Sequence, residues 1–214
     1  MGTKKQAEVV REHGPIPGAK SVAGVTYDGE SVWVATGERL QALDPVSGTP
    51  RRAIDITADA GTAFDGLHLY QLAGGVIQKI DPRTGALVGA LPSPAGEDSA
   101  GLTWAEGSLW VASHRDRAIL QVEPSTGKVL RRLESTRFVT GVTFADGELW
   151  HATWENDESE LRRIARDSGE VLETLALPEG VLVSGLEHDG GELFFCGGGP
   201  SGKVRAVRRP REGR

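Results

Sequence analysis

Several features that would place this chain in a common class are scarce or missing. Its single cysteine, Cys196, excludes an intramolecular disulfide and indicates a reducing compartment. No segment approaches the roughly 18 consecutive apolar residues of a membrane span. The N-terminus is polar and has no apolar stretch typical of a secretory signal. We therefore expect a soluble, cytoplasmic protein with no membrane partner.

Positive charge is also in short supply. The formal net charge is −6, and no basic stripe interleaves with aromatic residues, so we expect no nucleic-acid partner. The five histidines are scattered, without the short spacings typical of metal ligands. We predict neither a metal site nor another cofactor, and we expect a monomer.

What the sequence does contain is a repeat. A glycine is followed nine positions later by an aromatic residue, five times in all, and aromatic residues make up only 6% of the chain. Successive glycines are 37, 40, 40 and 44 residues apart, a period typical of a four-stranded propeller blade. The pairs are Gly24 and Trp33, Gly61 and Tyr70, Gly101 and Trp110, Gly141 and Trp150, and Gly185 and Phe194.

Each repeat alternates apolar and polar residues in short runs that are separated by Gly, Pro, Asp and Ser, which indicates antiparallel strands joined by tight turns. The last repeat lacks a fourth strand, and residues 7–12 supply a matching strand before the first glycine. We therefore predict an all-β, five-bladed propeller of four-stranded antiparallel blades, closed by the N-terminal strand. Residues 1–214 form one domain in this prediction, with residues 205–214 as a solvated basic tail.

The repeated aromatic residues are predicted to pack between neighbouring blades. The loops that enter the first strands and those that join strands two and three should surround one mouth of the central channel, where ligands bind. Cys196 aligns with Ala35, Leu72, Ala112 and Ala152, which predicts a small buried residue rather than a nucleophile.

Glu187 departs from the repeat. The matching positions of the other innermost strands hold Thr26, Ala63, Thr103 and Thr143. A carboxylate near the channel would be partly desolvated, so its pKa could rise into the range of a general acid or base. The alternative is structural: Glu187 pairs with an arginine or accepts hydrogen bonds from threonine hydroxyls.

Other candidates lie in the mouth loops. His114 and Trp154 occupy equivalent places just beyond the second strand of their repeats, and Arg115 lies beside His114. An aromatic wall with nearby arginines, Arg115 and Arg117, could hold a substrate carboxylate, although such loops are often merely solvated. We expect Glu187 and Asp98 to be catalytic, and Trp154, His114, Arg137 and Arg115 to bind the substrate.

Two segments resemble a known family. His68-Leu-Tyr-Gln-Leu72 and Ser184-Gly-Leu-Glu-His188 are similar to segments of the plant and bacterial glutamine cyclotransferases, also called glutaminyl cyclases. The second resembles that family's Asn-Glu-Leu-Glu-Tyr segment, with Glu187 at the second glutamate. The resemblance implies a five-bladed propeller that cyclises N-terminal glutamine to pyroglutamate in an axial pocket.

The chain also departs from the family's motifs. Ser21-Val-Ala-Gly24 replaces Phe-Thr-Gln-Gly, and Asp98-Ser-Ala-Gly101 replaces Glu-Gly-Trp-Gly. Asp59-Ala60-Gly61 replaces Phe-Gly-Glu-Gly, so that a glutamate at the mouth has become alanine. We expect a cyclotransferase-like protein that acts on a small amine, amide or peptide N-terminus by general acid and base catalysis. The alternatives are a non-catalytic propeller that binds a small ligand or peptide, and a metal-dependent lyase of the virginiamycin B lyase type.

Overall fold

The computed structural model describes residues 2–210 and contains five twisted sheets. Each sheet contains four strands paired antiparallel to their neighbours, as the alternating strands and tight turns predict. The innermost strand of every sheet contacts the innermost strands of both neighbouring sheets, so the sheets form a closed ring. The all-β, five-bladed propeller predicted from the repeat is thereby confirmed. No helix among residues 2–210 is both long and apolar enough to span a membrane.

The blades follow the chain order from the axis outwards. Blade 1 contains β3 (Val25–Tyr27), β4 (Val32–Ala35), β5 (Gly37–Leu43) and β6 (Pro50–Ala58). Blade 2 contains β7 (Thr62–Phe64), β8 (Leu69–Ala73), β9 (Val76–Ile80) and β10 (Leu87–Pro92). Blade 3 contains β11 (Ser99–Ala105), β12 (Ser108–Ser113), β13 (Ala118–Val122) and β14 (Val129–Glu134), and a short 3-10 helix (Gly96–Asp98) precedes it.

The last two blades use the N-terminal segment. Blade 4 contains β15 (Val139–Ala145), β16 (Glu148–Glu155), β17 (Glu158–Ile164) and β18 (Val171–Ala176), and β1 (Thr3–Gln6) adds a fifth strand parallel to β18. Blade 5 contains β19 (Gly185–His188), β20 (Leu193–Gly197), β21 (Val204–Arg208) and finally β2 (Val9–His13).

The ring closes through β2, as predicted, although this strand covers Val9–His13 rather than residues 7–12. Glu12 lies opposite Arg205 across the β2–β21 pair and accepts a hydrogen bond from its Nε at 2.7 Å. The prediction of a solvated tail from Arg205 is wrong for its first part. Residues up to Arg208 belong to β21, and Arg205 is buried against Glu12. The end of the predicted tail, residues 211–214, lies outside the described residues.

The five repeated glycines meet around the axis. A Cβ on Gly101 would lie 2.7 Å from the Cα of Gly141, and one on Gly185 would lie 2.9 Å from the Cα of Gly24. Gly24 approaches Gly61, Gly61 approaches Gly101, and Gly141 approaches Gly185 in the same way. We call these five residues the glycine ring. They are glycine because only a residue without a side chain allows adjacent strands to come this close at the axis.

The repeated aromatic residues pack between blades, as expected. Trp110 of blade 3 lies 5.0 Å, centroid to centroid, from Phe144 of blade 4, and Tyr70 stacks on Trp104 at 5.7 Å. Each buried cluster combines residues of adjacent blades, so the hydrophobic core lies between the blades rather than in one centre.

In blade 5 the assignment of the repeated aromatic to Phe194 is wrong. Phe195 lies opposite Glu187, as Trp33 lies opposite Thr26, and it contacts Tyr27 of the next blade. The reason is that the turn after β19 is one residue longer, so the aromatic follows its glycine by ten positions. The predicted alignment of Cys196 shifts with it, and Cys196 corresponds to Val34, Gln71, Val111 and His151.

Candidate functional site

A cavity of about 280 Å³ opens at one mouth of the central channel, on the face where the first strands begin. We call it the mouth cavity. Its walls come from all five blades and combine small residues with one large aromatic side chain. The lining residues are Ala23, Asp59, Ala60, Ser99, Ala100, Thr140, Trp154, Leu182 and Ser184.

The residues that directly precede the glycine ring all line the mouth cavity, and we call them the floor residues. Because the ring fixes the strands tightly around the axis, it also fixes the positions of these side chains. The floor residues of blades 1 to 3 are alanines, whereas those of blades 4 and 5 carry hydroxyl groups. They are Ala23, Ala60, Ala100, Thr140 and Ser184.

The two serines of the mouth cavity already have hydrogen-bond partners. The Ser184 hydroxyl donates to the carbonyl of Val22 at 2.5 Å and accepts from the backbone N–H of Gly199 at 3.0 Å. Ser99 donates to the carbonyl of Gly96 at 2.6 Å, and its hydroxyl also contacts that of Ser93 at 2.6 Å. These two serines therefore support the surrounding loops and have little hydrogen-bonding capacity left for a ligand.

The side chains of Asp59 and Thr140, like the indole N–H of Trp154, lack protein hydrogen-bond partners within residues 2–210. The Asp59 carboxylate is exposed and makes no hydrogen bond or ion pair with another described residue. The Thr140 Oγ1 atom is buried without a hydrogen-bond partner, and the residue is only 8% exposed. A buried polar atom without a partner is unfavourable by about 1–3 kcal/mol. A hydrogen bond from Thr140 to a ligand or a water molecule would remove this cost.

Glu187 lies in the channel wall and is not among the lining residues of the mouth cavity. It is three residues beyond Ser184 on the innermost strand, which is about 10 Å at roughly 3.3 Å per residue. Its Oε2 accepts from the Thr26 hydroxyl at 2.8 Å, and its Oε1 accepts from the Thr143 hydroxyl at 2.6 Å. The carboxylate thus connects blades 4, 5 and 1, the structural alternative considered for it.

The pKa of the Glu187 carboxyl is raised to about 7. Burial raises it most, and the hydrogen bonds from Thr143, from Thr26 and from the backbone N–H of His188 lower it in part. The group could therefore exchange a proton near neutral pH. Its two threonine partners and its depth in the channel separate it from the mouth.

Asp98 supports a loop. Its Oδ2 accepts from the Ser113 hydroxyl at 3.0 Å and from the backbone N–H groups of Arg115 and Asp116 at 2.8 and 3.3 Å. These bonds hold the turn after β12. Within the described residues Asp98 shares no hydrogen bond with Glu187, and neither of these two expected catalytic residues lines the mouth cavity.

Of the four residues expected to bind substrate, Trp154 lines the mouth cavity. Arg137 lies beneath the loop that follows Trp154 and donates from Nη2 to the carbonyls of Glu155 and Glu158 at 2.8 and 3.1 Å. The His114 ring stacks on the Phe138 ring, with 4.9 Å between the ring centroids, and it does not line the mouth cavity. The Arg115 side chain is 87% exposed and lies 3.7 Å from the carboxylate of Asp98.

The remaining candidates for reactive chemistry are buried or scattered. Burial raises the pKa of the Cys196 thiol to about 12, which keeps it in the unreactive protonated form. Within residues 2–210, no three His, Cys, Asp or Glu side chains come together in a way that could hold a metal ion. Nothing in the described part of the chain supports the lyase alternative, which requires such a ligand set.

Neither Asp59 nor Thr140 was among the site residues predicted from the sequence. Asp59 and Thr140 both appear in the loops that enter the first strands, and their place before a repeated glycine was the available signal. The sequence alone could not show that Asp98 binds backbone N–H groups while Asp59 binds none.

Fold and cavity together define the class: a five-bladed β-propeller with a ligand-sized cavity at one mouth of its channel. Neither a family model nor a curated protein sequence matches the chain. Among solved structures, Myxococcus xanthus glutaminyl cyclase has a TM-score of 0.77, with 19% identity, over 97% of this chain and 98% of that chain. The fold implied by the resemblance to glutaminyl cyclases is therefore confirmed.

Other propellers are similar over much of the chain. The β-propeller domain of Myceliophteria thermophila Cps50 (Swd1) has a TM-score of 0.59 and 10% identity, over 95% of this chain and 100% of that chain. Hydrazine synthase of Kuenenia stuttgartiensis has a TM-score of 0.53 and 16% identity, over 84% of this chain and 56% of that chain. At such identities these similarities concern the fold alone.

Proposed function

We propose that this propeller binds a small amine, or the amino terminus of a peptide, in the mouth cavity. The observation that carries this proposal is the Asp59 carboxylate, which is exposed at the cavity and unpaired within residues 2–210. A convergent charged group in a largely apolar cavity is typical of a small-ligand site. The neighbouring indole of Trp154 can also attract a cation through its ring face.

The charge of the lining favours an amine over a carboxylate. Of the described residues that line the mouth cavity, Asp59 is the one that carries a charge. The arginines that were expected to bind a carboxylate are engaged elsewhere or exposed: Arg117 pairs with Glu155 at 2.6 Å, and the Arg115 side chain is 87% exposed. Arg137, which was expected to hold the substrate, donates to backbone carbonyls. A ligand that enters the cavity therefore meets negative charge and apolar surface.

The lining also favours binding over catalysis. A general acid or base must lie within hydrogen-bonding distance of the proton it transfers, directly or through one water molecule. Among residues 2–210, Asp59 is the one acidic or basic side chain in the lining, and no second such residue lines the cavity with it. Glu187 is about 10 Å along the strand from Ser184 and is held by two threonines.

Calorimetric titration of short peptides tests the binding proposal. We expect a peptide with a free amino terminus to bind, and its N-acetylated form to bind at least about tenfold more weakly, because acetylation removes the charge. Asp59→Asn should weaken the free amine to a similar extent. Asp55→Asn is the matched control, since Asp55 is an exposed carboxylate of β6, four residues before Asp59, that does not line the cavity. Equal binding of free and acetylated peptides would contradict the proposal.

Cyclisation of N-terminal glutamine is the second candidate function. It is favoured by the similarity to glutaminyl cyclase over nearly the whole of both chains and by the titratable Glu187 in the channel. In this reaction the α-amine attacks the side-chain amide carbon, a carbon–nitrogen bond forms, and ammonia leaves. A carboxylate in reach of both nitrogens would transfer the proton between them.

Ammonia release from glutaminyl peptides distinguishes the two functions. Turnover by the wild type that Glu187→Gln abolishes would support the cyclotransferase. Binding without turnover would support the ligand-binding propeller. Ala60→Glu is informative as well, because Ala60 lies on the cavity floor at the position of the family's mouth glutamate. Turnover gained by this variant alone would show that the wild-type cavity lacks the catalytic carboxylate.

A further inference from the structure

The mouth cavity offers a ligand mainly apolar surface. The floor residues of three consecutive blades are alanines, and the walls include the Trp154 indole and the Leu182 side chain. The hydroxyl groups of Ser99 and Ser184 are used within the protein, as described above. The body of a ligand, as distinct from its charged end, would therefore lie against carbon atoms.

Thr140 is the exception on this floor. Its hydroxyl is more than nine-tenths buried, has no protein partner among the described residues, and belongs to a residue that lines the cavity. A free hydroxyl can donate one hydrogen bond and accept others. It therefore provides one directional contact in an otherwise apolar part of the site.

Asp59 and the Thr140 hydroxyl lie on different blades. Asp59 precedes blade 2 and Thr140 precedes the glycine of blade 4, and the alanine floor of blade 3 lies between them. A ligand that satisfies both must carry a cationic nitrogen and a second hydrogen-bonding group. The rest of the ligand must be apolar enough to pack against the alanine side chains and the Trp154 indole.

We infer that the ligand is a primary amine with an apolar body and one adjacent carbonyl group, such as a peptide whose N-terminal residue is leucine or phenylalanine. This inference rests on the proposed binding function. Asp59 holds the ammonium group, Thr140 donates to the first peptide carbonyl, and the side chain packs on the alanine floor and Trp154.

A glutamine side chain fits this cavity less well. Its carboxamide has two N–H donors and an acceptor oxygen. On entering the cavity these groups would lose their hydrogen bonds to water and face a mainly apolar surface. A site that lacks partners for a polar group rejects that group strongly. The same lining that accepts leucine therefore selects against glutaminyl peptides.

A calorimetric comparison of tripeptide amides with leucyl, phenylalanyl and glutaminyl N-termini tests the inference. We expect the leucyl and phenylalanyl peptides to bind the wild type at least about tenfold more tightly than the glutaminyl peptide. Thr140→Val should weaken the leucyl peptide about fivefold or more. Thr153→Val is the matched control, because Thr153 also has a buried hydroxyl without a partner but does not line the cavity.

A second comparison uses only the wild-type protein, so it does not depend on the folding of a variant. Isoamylamine has the leucine side chain and the amine but no carbonyl, and it should bind at least about fivefold more weakly than leucinamide. Equal binding of these two compounds, or of leucyl and glutaminyl peptides, would overturn the inference and leave amine binding intact. If no free amine binds, the proposed function itself is wrong.

Discussion

At the scale of single residues, Glu187 illustrates how a break in a repeat can have a structural cause. It stands where the other innermost strands have threonine or alanine, and it accepts hydrogen bonds from threonine hydroxyl groups of both neighbouring blades. The ring closes at blade 5, where the first and last parts of the chain meet. A carboxylate at this place connects three blades, which a threonine is too short to do. The sequence showed the exception but could not show its partners.

The raised pKa of Glu187 gives a prediction for stability. The folded state holds the Glu187 proton up to about pH 7, whereas an unfolded chain releases it near 4.5, the ordinary pKa of a glutamate. The folded state is therefore penalised as the pH rises from about 4.5 to 7, by up to about 3 kcal/mol. We expect Glu187→Gln, which stays neutral, to match the wild type near pH 4.5 and to be more stable above pH 7.

Denaturant unfolding of both proteins between pH 4.5 and 8 measures this difference. Glu30→Gln is the control, since it removes the same negative charge from an exposed side chain. Subtraction of the two curves removes other titrating groups. One of these is His151, whose pKa burial lowers to about 3, so that it destabilises the folded state as the pH falls below 6.5. A pH-independent effect of Glu187→Gln would mean that Glu187 does not titrate in this range.

At the scale of elements, the sequence predicted the strands better than their boundaries. The turn chemistry and the glycine period were enough for the blades and for closure by β2, because both depend on local residue patterns. The strand β1 was missed because its four residues, Thr3–Gln6, are all polar and exposed. They therefore lack the alternation of apolar and polar residues by which a strand is predicted from sequence. The extra residue in the turn after β19 was missed because either of two adjacent phenylalanines fits a fixed spacing.

The two N-terminal strands should differ in their contribution to stability. Strand β1 lies on the outer edge of blade 4 and adds ion pairs from Lys4 to Glu160 and from Lys5 to Glu173, at 3.1 and 2.7 Å. Both lysines are more than half exposed, whereas the two carboxylates are buried. Without the lysines, Glu160 still pairs with Arg162 at 2.7 Å and Glu173 with Arg163 at 3.5 Å, so the lysine contacts add little. We expect deletion of residues 1–6 to reduce the free energy of unfolding by about 1–2 kcal/mol, and the melting temperature by about 2–8 °C.

Deletion of residues 1–13 should have a much larger effect, because it also removes β2 and leaves β21 as an open edge in a three-stranded blade. We expect this variant to lose cooperative thermal unfolding, measured by circular dichroism, and to aggregate. A cooperative transition near that of the shorter deletion would show that the ring does not depend on closure by β2.

At the scale of the whole molecule, the glycine ring connects the fold to the site. The sequence identified the five glycines, and their period predicted the propeller, but only the structure shows that each contacts the next around the axis. The floor residues inherit their positions from this ring. The identity of the ligand could not be predicted in the same way, because it depends on which polar groups remain unpaired after folding.

A methyl group placed in the glycine ring should therefore affect both stability and binding. In Gly101→Ala the new Cβ would lie 2.7 Å from the Cα of Gly141 and 3.1 Å from the backbone nitrogen of Val142, and backbone atoms cannot move aside cheaply. We expect a loss of about 2–4 kcal/mol in denaturant unfolding. Because the strands of blades 3 and 4 must separate, Ala100 and Thr140 should move with them, and affinity for the amine should fall.

Gly89→Ala is the matched control for this variant. Gly89 lies in an outer strand, its Cβ would meet only the Cβ of Lys79 at 3.8 Å, and its backbone conformation suits alanine. This substitution should leave binding unchanged and stabilise the protein slightly, by about 0.5–1 kcal/mol, since alanine loses less conformational freedom than glycine. If both variants were equally stable, the ring glycines would not be required by close packing at the axis. If Gly101→Ala lost stability but kept full affinity, the floor would be independent of the ring, and the cavity would have to be held by its loops instead.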